Sequence, residues 1–429
     1  MIATQSFRTD ILASFQATAA QTEELLAYNQ NIFNHDTLTY PVKFPLTPEP
    51  HVNAWEEYTL AARVVGIFEV LKKRLVQFRF PILEGISQTQ AYRDATCRGV
   101  TVDDMAEATG LVLQQPEKLQ LILHQSLAGT IPVLLAGNRE DFVSLVQALT
   151  RRNEPQLVPD SMGACIVSGF NNWDRIHQYR QQWIAENPTN CSETSWLVEF
   201  KQLIPQKQLY QDKFIILSDG FYSNVSASEI GIDESQWQQL SVKIRLEHEC
   251  THYFTRRLFN SMRNNIFDEI IADYRGIIAA IGYYRADWFL RFLGLESFPN
   301  YREGGRLQNY RGNPPLSDGA FEILQVLVKA AAENLQRFDT EYTQKLSNTN
   351  ISNFSGYLEN LSPFRRETLN FHSESVGKGV RGGFVKSQTN IQPLILISLT
   401  YLTLEELASQ EASFLIQQTL DKLQNTLNR

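Results

Sequence analysis

Residues 245–276, RLEHECTHYFTRRLFNSMRNNIFDEIIADYRG, restrict this chain more than any other stretch. They set His248, Glu249 and His252 in an H-E-x-x-H array, followed by Asp268, Glu269 and Asp273 in an apolar run. Residues four apart on a helix lie one above the other, so a helical His248 and His252 point the same way and can share one ion. A zinc ion takes nitrogen ligands at ~2.0–2.1 Å in a tetrahedral set, and a catalytic zinc leaves one position for water. Two histidines are one protein ligand short of that set.

Glu269 is the candidate third ligand, provided that Asn264-Asn265 turns the chain and lets a second helix fold back across the first. Asp268 remains an alternative for that place. Asp273 follows Glu269 by one turn and is positioned to accept the second N–H of a ligating histidine, fixing its tautomer. A simple helix-stabilising charge paired with Arg275 or Arg256 is the alternative role for Asp273. Glu249 projects beside the metal-facing direction, where a carboxylate takes a proton from water without becoming a ligand. With only 7 histidines in 429 residues, an H-E-x-x-H arising by chance is on the order of a one per cent event. Cys250, inside the array, reads as a small packed residue rather than a nucleophile.

These residues resemble the zincin metallopeptidases, and more narrowly the thermolysin-like gluzincins, in which HExxH is followed on the next helix by ExxxD. Here the pattern reads His248-Glu249-Cys250-Thr251-His252, then Glu269-Ile270-Ile271-Ala272-Asp273. Arg245 departs from the small or β-branched residue usual at its place, and Thr255 and Leu258 stand where metzincins carry Gly and His. The resemblance implies zinc held by His248, His252 and Glu269, Glu249 as general base, Asp273 behind a ligand, and a peptide substrate. It also implies an oxyanion-stabilising side chain further along, for which His372, Arg381 and Tyr283 are candidates, and a substrate-holding edge strand, for which FIILSDGFY is the candidate. The match covers about thirty residues.

The rest of the chain sets the frame. A length of 429 residues exceeds what one hydrophobic core usually serves. Helical spacing recurs in ILASFQATAAQTEELLAYNQNIF, in residues 53–78 and through most of the last third, whereas IPVLLAG, ACIVSGF and KFIILSDGFYSNV read as strands. REDFVSLVQALTRR between the first two suggests a strand-helix-strand unit, without a nucleotide-binding fingerprint. The expected fold is α+β and helix-rich: an N-terminal helical and α/β portion over 1–204, a zincin-like core over 205–295 whose helix pair follows a strand, and a helical C-terminal portion over 296–429. A glycine-rich break at 376–384 reads as a flexible loop beside the cleft.

A net charge of −8 argues against a nucleic-acid binder working through a broad basic face. No apolar run approaches the ~20 residues of a membrane span. The first residues lack the basic start and apolar core of a secretory signal. The four cysteines show no C-x-x-C spacing. A cytoplasmic protein with reduced thiols is therefore expected. The expected activity is zinc-dependent hydrolysis of peptides. The alternatives are a non-catalytic zincin-like scaffold, a tailoring hydrolase for another amide or ester, and a non-haem iron centre using the same ligands.

Overall fold

The computed structural model describes residues 5–39, 41–261, 265–351 and 382–427. The fold is α+β and rich in helix, with one four-stranded sheet. The chain divides into two compact units. One comprises residues 1–44 together with 225–429, and the other residues 45–224. The boundaries expected at 204 and 295 thus give way to breaks after Phe44 and Asn224, and the first segment joins the C-terminal half. Sequence order conceals this, because a core is assembled from whatever apolar faces meet, wherever they lie along the chain.

The first unit opens with helices α1 (Gln5–Ser14) and α2 (Ala19–Tyr28). Thr18 starts α2 through a capping box with Gln21, which ends the apparently continuous early helix at a residue better suited to a cap than to a helix interior. The unit of residues 45–224 contains α3 (Val52–Val65), α4 (Ile67–Arg74), α5 (Gln90–Arg98), α6 (Arg139–Thr150), α7 (Trp173–Glu186) and α8 (Glu193–Leu203). It also carries the sheet: β1 (Gln120–Ser126), β2 (Gly129–Leu135), β3 (Ala164–Asn171) and β4 (Gln211–Leu217), in the order β1-β2-β4-β3.

Strand β4 lies inside that sheet. It runs parallel to β2, pairing Val133 with Ile215, and antiparallel to β3, pairing Val167 with Phe214. Both of its backbone edges are used, so FIILSDGFY is not the free edge strand expected of it. Nor do β2, α6 and β3 form a unit of adjacent strands, because β4 inserts between them. Asn172 caps α7 rather than closing a turn. The core beneath the sheet gathers Trp55, Phe78, Phe142 and Phe214. The buried Asp212 carboxylate accepts from Trp55 Nε1 at 2.9 Å, Asn172 Nδ2 at 2.7 Å and Arg175 at 2.7 Å.

After residue 224 the first unit resumes with α9 (Ala227–Ile230), α10 (Glu234–Phe259), α11 (Ile266–Ile281), α12 (Ala286–Leu293), α13 (Asp318–Ile351), α14 (Gly382–Thr400), α15 (Leu404–Ala408) and α16 (Ala412–Leu427). Asp233 caps α10 by accepting from the Ser235 and Gln236 N–H groups, and left-handed Asn260 ends it. Asn265 caps α11, and Gly282, at φ 89°, stops it, so the second motif helix is shorter than its apolar sequence suggests. The helices α10 and α11 pack closely because Gly276 faces the Ile244 carbonyl. A Cβ there would lie 2.7 Å from that oxygen.

Candidate metal centre

α10 supplies His248 and His252, and α11 supplies Glu269. The two Nε2 atoms are 3.0 Å apart. Glu269 Oε2 lies 3.4 Å from His248 Nε2, and its Oε1 lies 3.4 Å from His252 Nε2. Ligand atoms each ~2.0–2.1 Å from a tetrahedral zinc sit about 3.3–3.4 Å from one another, and these two imidazoles and one carboxylate lie close enough together to share one ion. Among the described residues this is the one such grouping.

The outer nitrogens decide which way the lone pairs face. His248 Nδ1 lies 2.7 Å from Asp273 Oδ1, and His252 Nδ1 lies 3.0 Å from Asp268 Oδ2. An ionised carboxylate only accepts, so each Nδ1 is the donor and each ring presents its Nε2 to the interior of the site. Two nitrogens and a carboxylate thus converge on one point, each ring held from behind by its own acid.

Asp268 is therefore not the third ligand, the place left open for it by the sequence. It orients His252, and its other oxygen lies 3.4 Å from Thr255 Oγ1. Asp273 does not pair with Arg275 or Arg256. Arg275 is taken by Glu247 at 2.9 Å, and the second oxygen of Asp273 accepts from Arg306.

Burial turns this geometry into an electrostatic demand. Asp268, Glu269 and Asp273 are 3%, 7% and 0% exposed, all on one helix, and an uncompensated buried ion costs several kcal/mol. Arg306 compensates part of that charge at Asp273, and a bound cation would compensate more. The titration of the site groups shows the same pull. Burial disfavours the imidazolium of His252, but the charges of Asp268 and Glu269 prevail and hold it well above the usual histidine range. Burial likewise pushes the Glu269 carboxyl up. The hydrogen bond from His252 and the charges of His248, His252 and Arg306 outweigh it and bring the group below the usual carboxylate range.

Glu249, the candidate base, is half-buried on α10, one residue past His248. Cys250 is buried, as a packing residue should be. Of the three expected oxyanion partners, His372 and Arg381 lie outside the described residues. Tyr283 is 54% exposed beyond the end of α11, roughly 20 Å along the helix axis from Glu269 at 1.5 Å per residue, and takes no part in the centre.

Two other residues occupy that neighbourhood. Arg306 and Tyr310 stand at the ends of the 3₁₀ turn Arg306–Tyr310. Arg306 pairs with Asp273, and burial, with the charge of Glu269, pushes the Tyr310 hydroxyl well above the usual tyrosine range. Neither has a spacing relation to the motif that a sequence pattern reveals.

A family model described as a family of unknown function (DUF7005) matches residues 10–373. The chain belongs to this family. Comparison with curated proteins and with solved structures returned no match. The DUF7005 description carries no chemistry, so a functional reading of this member rests on the cluster of His248, His252 and Glu269.

Proposed function

We propose that this DUF7005 protein is a zinc-dependent hydrolase, with peptides as its first candidate substrates. The observation that carries the reading is the convergence of two Asp-oriented imidazole nitrogens and a buried carboxylate, close enough together to share one ion. Two imidazoles and one carboxylate suit zinc, and the donor set is complete without a cysteine. When bound, zinc supplies Lewis acidity, polarising a carbonyl and lowering the pKa of water towards neutrality.

The protein's own groups do the rest. Asp273 and Asp268 accept the Nδ1 protons of His248 and His252, which directs each Nε2 towards the metal site. Glu249 accepts the proton of the attacking water as the new C–O bond forms and delivers it to the leaving nitrogen as the C–N bond breaks.

Metal analysis by elemental mass spectrometry on chelator-free protein, with His252→Ala and Glu269→Ala beside the wild type, tests the site. About one zinc per chain, lost in both variants, is the expected result. Peptide-library hydrolysis abolished by Glu249→Gln, with zinc retained, tests the activity. No metal uptake by the wild type in added zinc would sink the proposal.

A second reading, a non-catalytic scaffold held by its metal, is favoured by the depth of the donors: His248 is 6% exposed and Glu269 7%. On that reading Glu249→Gln changes nothing, whereas metal removal lowers the unfolding midpoint.

A further inference from the structure

We infer that Arg306, which lies outside both motif helices, is a positioning residue for His248: its guanidinium holds the far oxygen of Asp273 and so fixes the carboxylate that aims the imidazole. The inference rests on the metal-site reading above and adds a residue to it.

The two histidines are backed unequally. Behind His252, Asp268 Oδ2 takes Nδ1 at 3.0 Å, and Asp268 Oδ1 meets the Thr255 hydroxyl at 3.4 Å. That hydroxyl carries one proton and also lies 3.2 Å from the His252 carbonyl, so its hold on Asp268 is shared and weak. Behind His248 the hold is stronger. Asp273 Oδ1 takes Nδ1 at 2.7 Å, and Oδ2 accepts from the Arg306 guanidinium in a charge-assisted bond. The side chains of Arg306 and Asp273 are 13% and 0% exposed, so water competes little for either. The last torsion of an aspartate is broad, and a carboxylate gripped on one oxygen can still turn. Gripped on both, Asp273 keeps Oδ1 on the His248 ring.

Arg306 can do this because its own backbone is anchored. It opens the 3₁₀ turn Arg306–Tyr310, directly after Gly305. A Cβ at Gly305 would meet the Leu293 carbonyl oxygen at 2.5 Å and Gly294 Cα at 2.8 Å, so the turn begins hard against the end of α12. There the Arg302 N–H donates to the Gly294 carbonyl at 2.8 Å, and the Gly305 N–H to the Arg302 carbonyl at 2.9 Å. At the far end of the turn the Tyr28 hydroxyl donates to the Tyr310 carbonyl at 2.5 Å.

Charge and position make opposite predictions. A guanidinium behind the site repels a divalent cation, so by Coulomb's law alone its removal should tighten metal binding. If it positions Asp273, its removal should loosen binding, because His248 loses its alignment.

The experiment uses full-length protein titrated with Co(II), with visible d–d absorption reporting ligand geometry and urea denaturation of the metal-free protein reporting the fold. Arg306→Leu should weaken Co(II) binding about tenfold and alter the d–d bands. Arg306→Lys, which keeps the charge and lacks the fork, should fall between it and wild type. Thr255→Val should lose less than Arg306→Leu. Because Arg306→Leu strands a buried carboxylate, the same change is also made beside Asp273→Asn, where both charges are gone. There it should cause no further loss, since no carboxylate is left to hold. Where Arg306→Leu alone fails to fold, Arg306→Lys and the Asp273→Asn pair decide.

Tighter or unchanged Co(II) binding with wild-type bands in the Arg306 variants would overturn the inference while leaving the metal site standing. A further tenfold loss in the Asp273→Asn background would also overturn it, because Arg306 would then act by another route. So would an equal loss in Thr255→Val, which would make the effect common to any disturbance of the buried site. Failure of the wild type to bind Co(II) at all would instead reject the reading on which the inference stands.

Discussion

Gly276→Ala asks how closely the two motif helices must approach. In an ordinary helix the change stabilises, because alanine exceeds glycine in helix propensity by ~1 kcal/mol. Here the new methyl meets the Ile244 carbonyl oxygen at 2.7 Å and Ile244 Cγ2 at 3.2 Å. A backbone carbonyl inside α10 cannot rotate aside, so the helices must separate by about 0.7 Å to reach ordinary contact, an overpacking that costs ~1–3 kcal/mol.

The balance is a net loss of about 1 kcal/mol, measurable as a lower denaturation midpoint at unchanged slope. The larger consequence falls on the metal centre. His248 is one turn beyond Ile244, and Asp273 lies three residues before Gly276, so the His248–Asp273 pair at 2.7 Å sits beside the point of contact. A separation of that size stretches the pair to about 3.4 Å, beyond a good hydrogen bond. Zinc affinity should then fall about tenfold, as it does when the partner of a ligating histidine is lost. Isothermal titration with zinc, beside urea denaturation of the metal-free protein, reads both quantities. A variant that is more stable than wild type and binds zinc equally well would refute the reasoning, since the helices would then have room to spare.

Other perturbations separate the remaining forces. Asp268→Asn keeps an acceptor for His252 Nδ1 and removes a charge, whereas Asp268→Leu removes both. Zinc affinity should therefore drop further in the leucine variant, by ~10–100-fold, and equal losses would show that charge alone matters. His51 is 2% exposed, and burial, against the charge of Glu49 and with those of Arg175 and Lys213, lowers its pKa to about 4. The unfolded chain binds this proton from about pH 6.5 downwards while the folded chain refuses it. Stability present above pH 6.5 should then be lost towards pH 4, by about 3 kcal/mol. His51→Gln should flatten that part of the pH–stability curve, and an unchanged slope would exclude His51 as its source. Asp212→Ala leaves Arg175 buried beside an empty place and should cost about 3–5 kcal/mol in urea denaturation, without altering zinc affinity.

The sequence alone determined the local parts of the candidate metal site. His248 and His252 at a spacing of four, and Glu269 and Asp273 at the same spacing, fall on single faces by helix geometry, whatever surrounds them. Asp233 and Asn265 cap their helices by chemistry that is equally local. The helix-rich α+β character follows from the same short-range periodicities.

Only the tertiary structure decided the rest. It gave Asp268 to His252 and Asp273 to His248, choices that depend on how α11 rotates against α10 around Gly276. Strand β4 was placed inside the sheet instead of at its edge, because register and strand order are settled by pairing between distant segments. Arg306 reached Asp273 from 33 residues downstream, and the first 44 residues joined the unit that holds the site. Periodicity specifies the direction of a side chain within its own element. The partner it meets is set by the burial of apolar faces and the pairing of buried charges, which act through space and leave no fixed interval in the sequence.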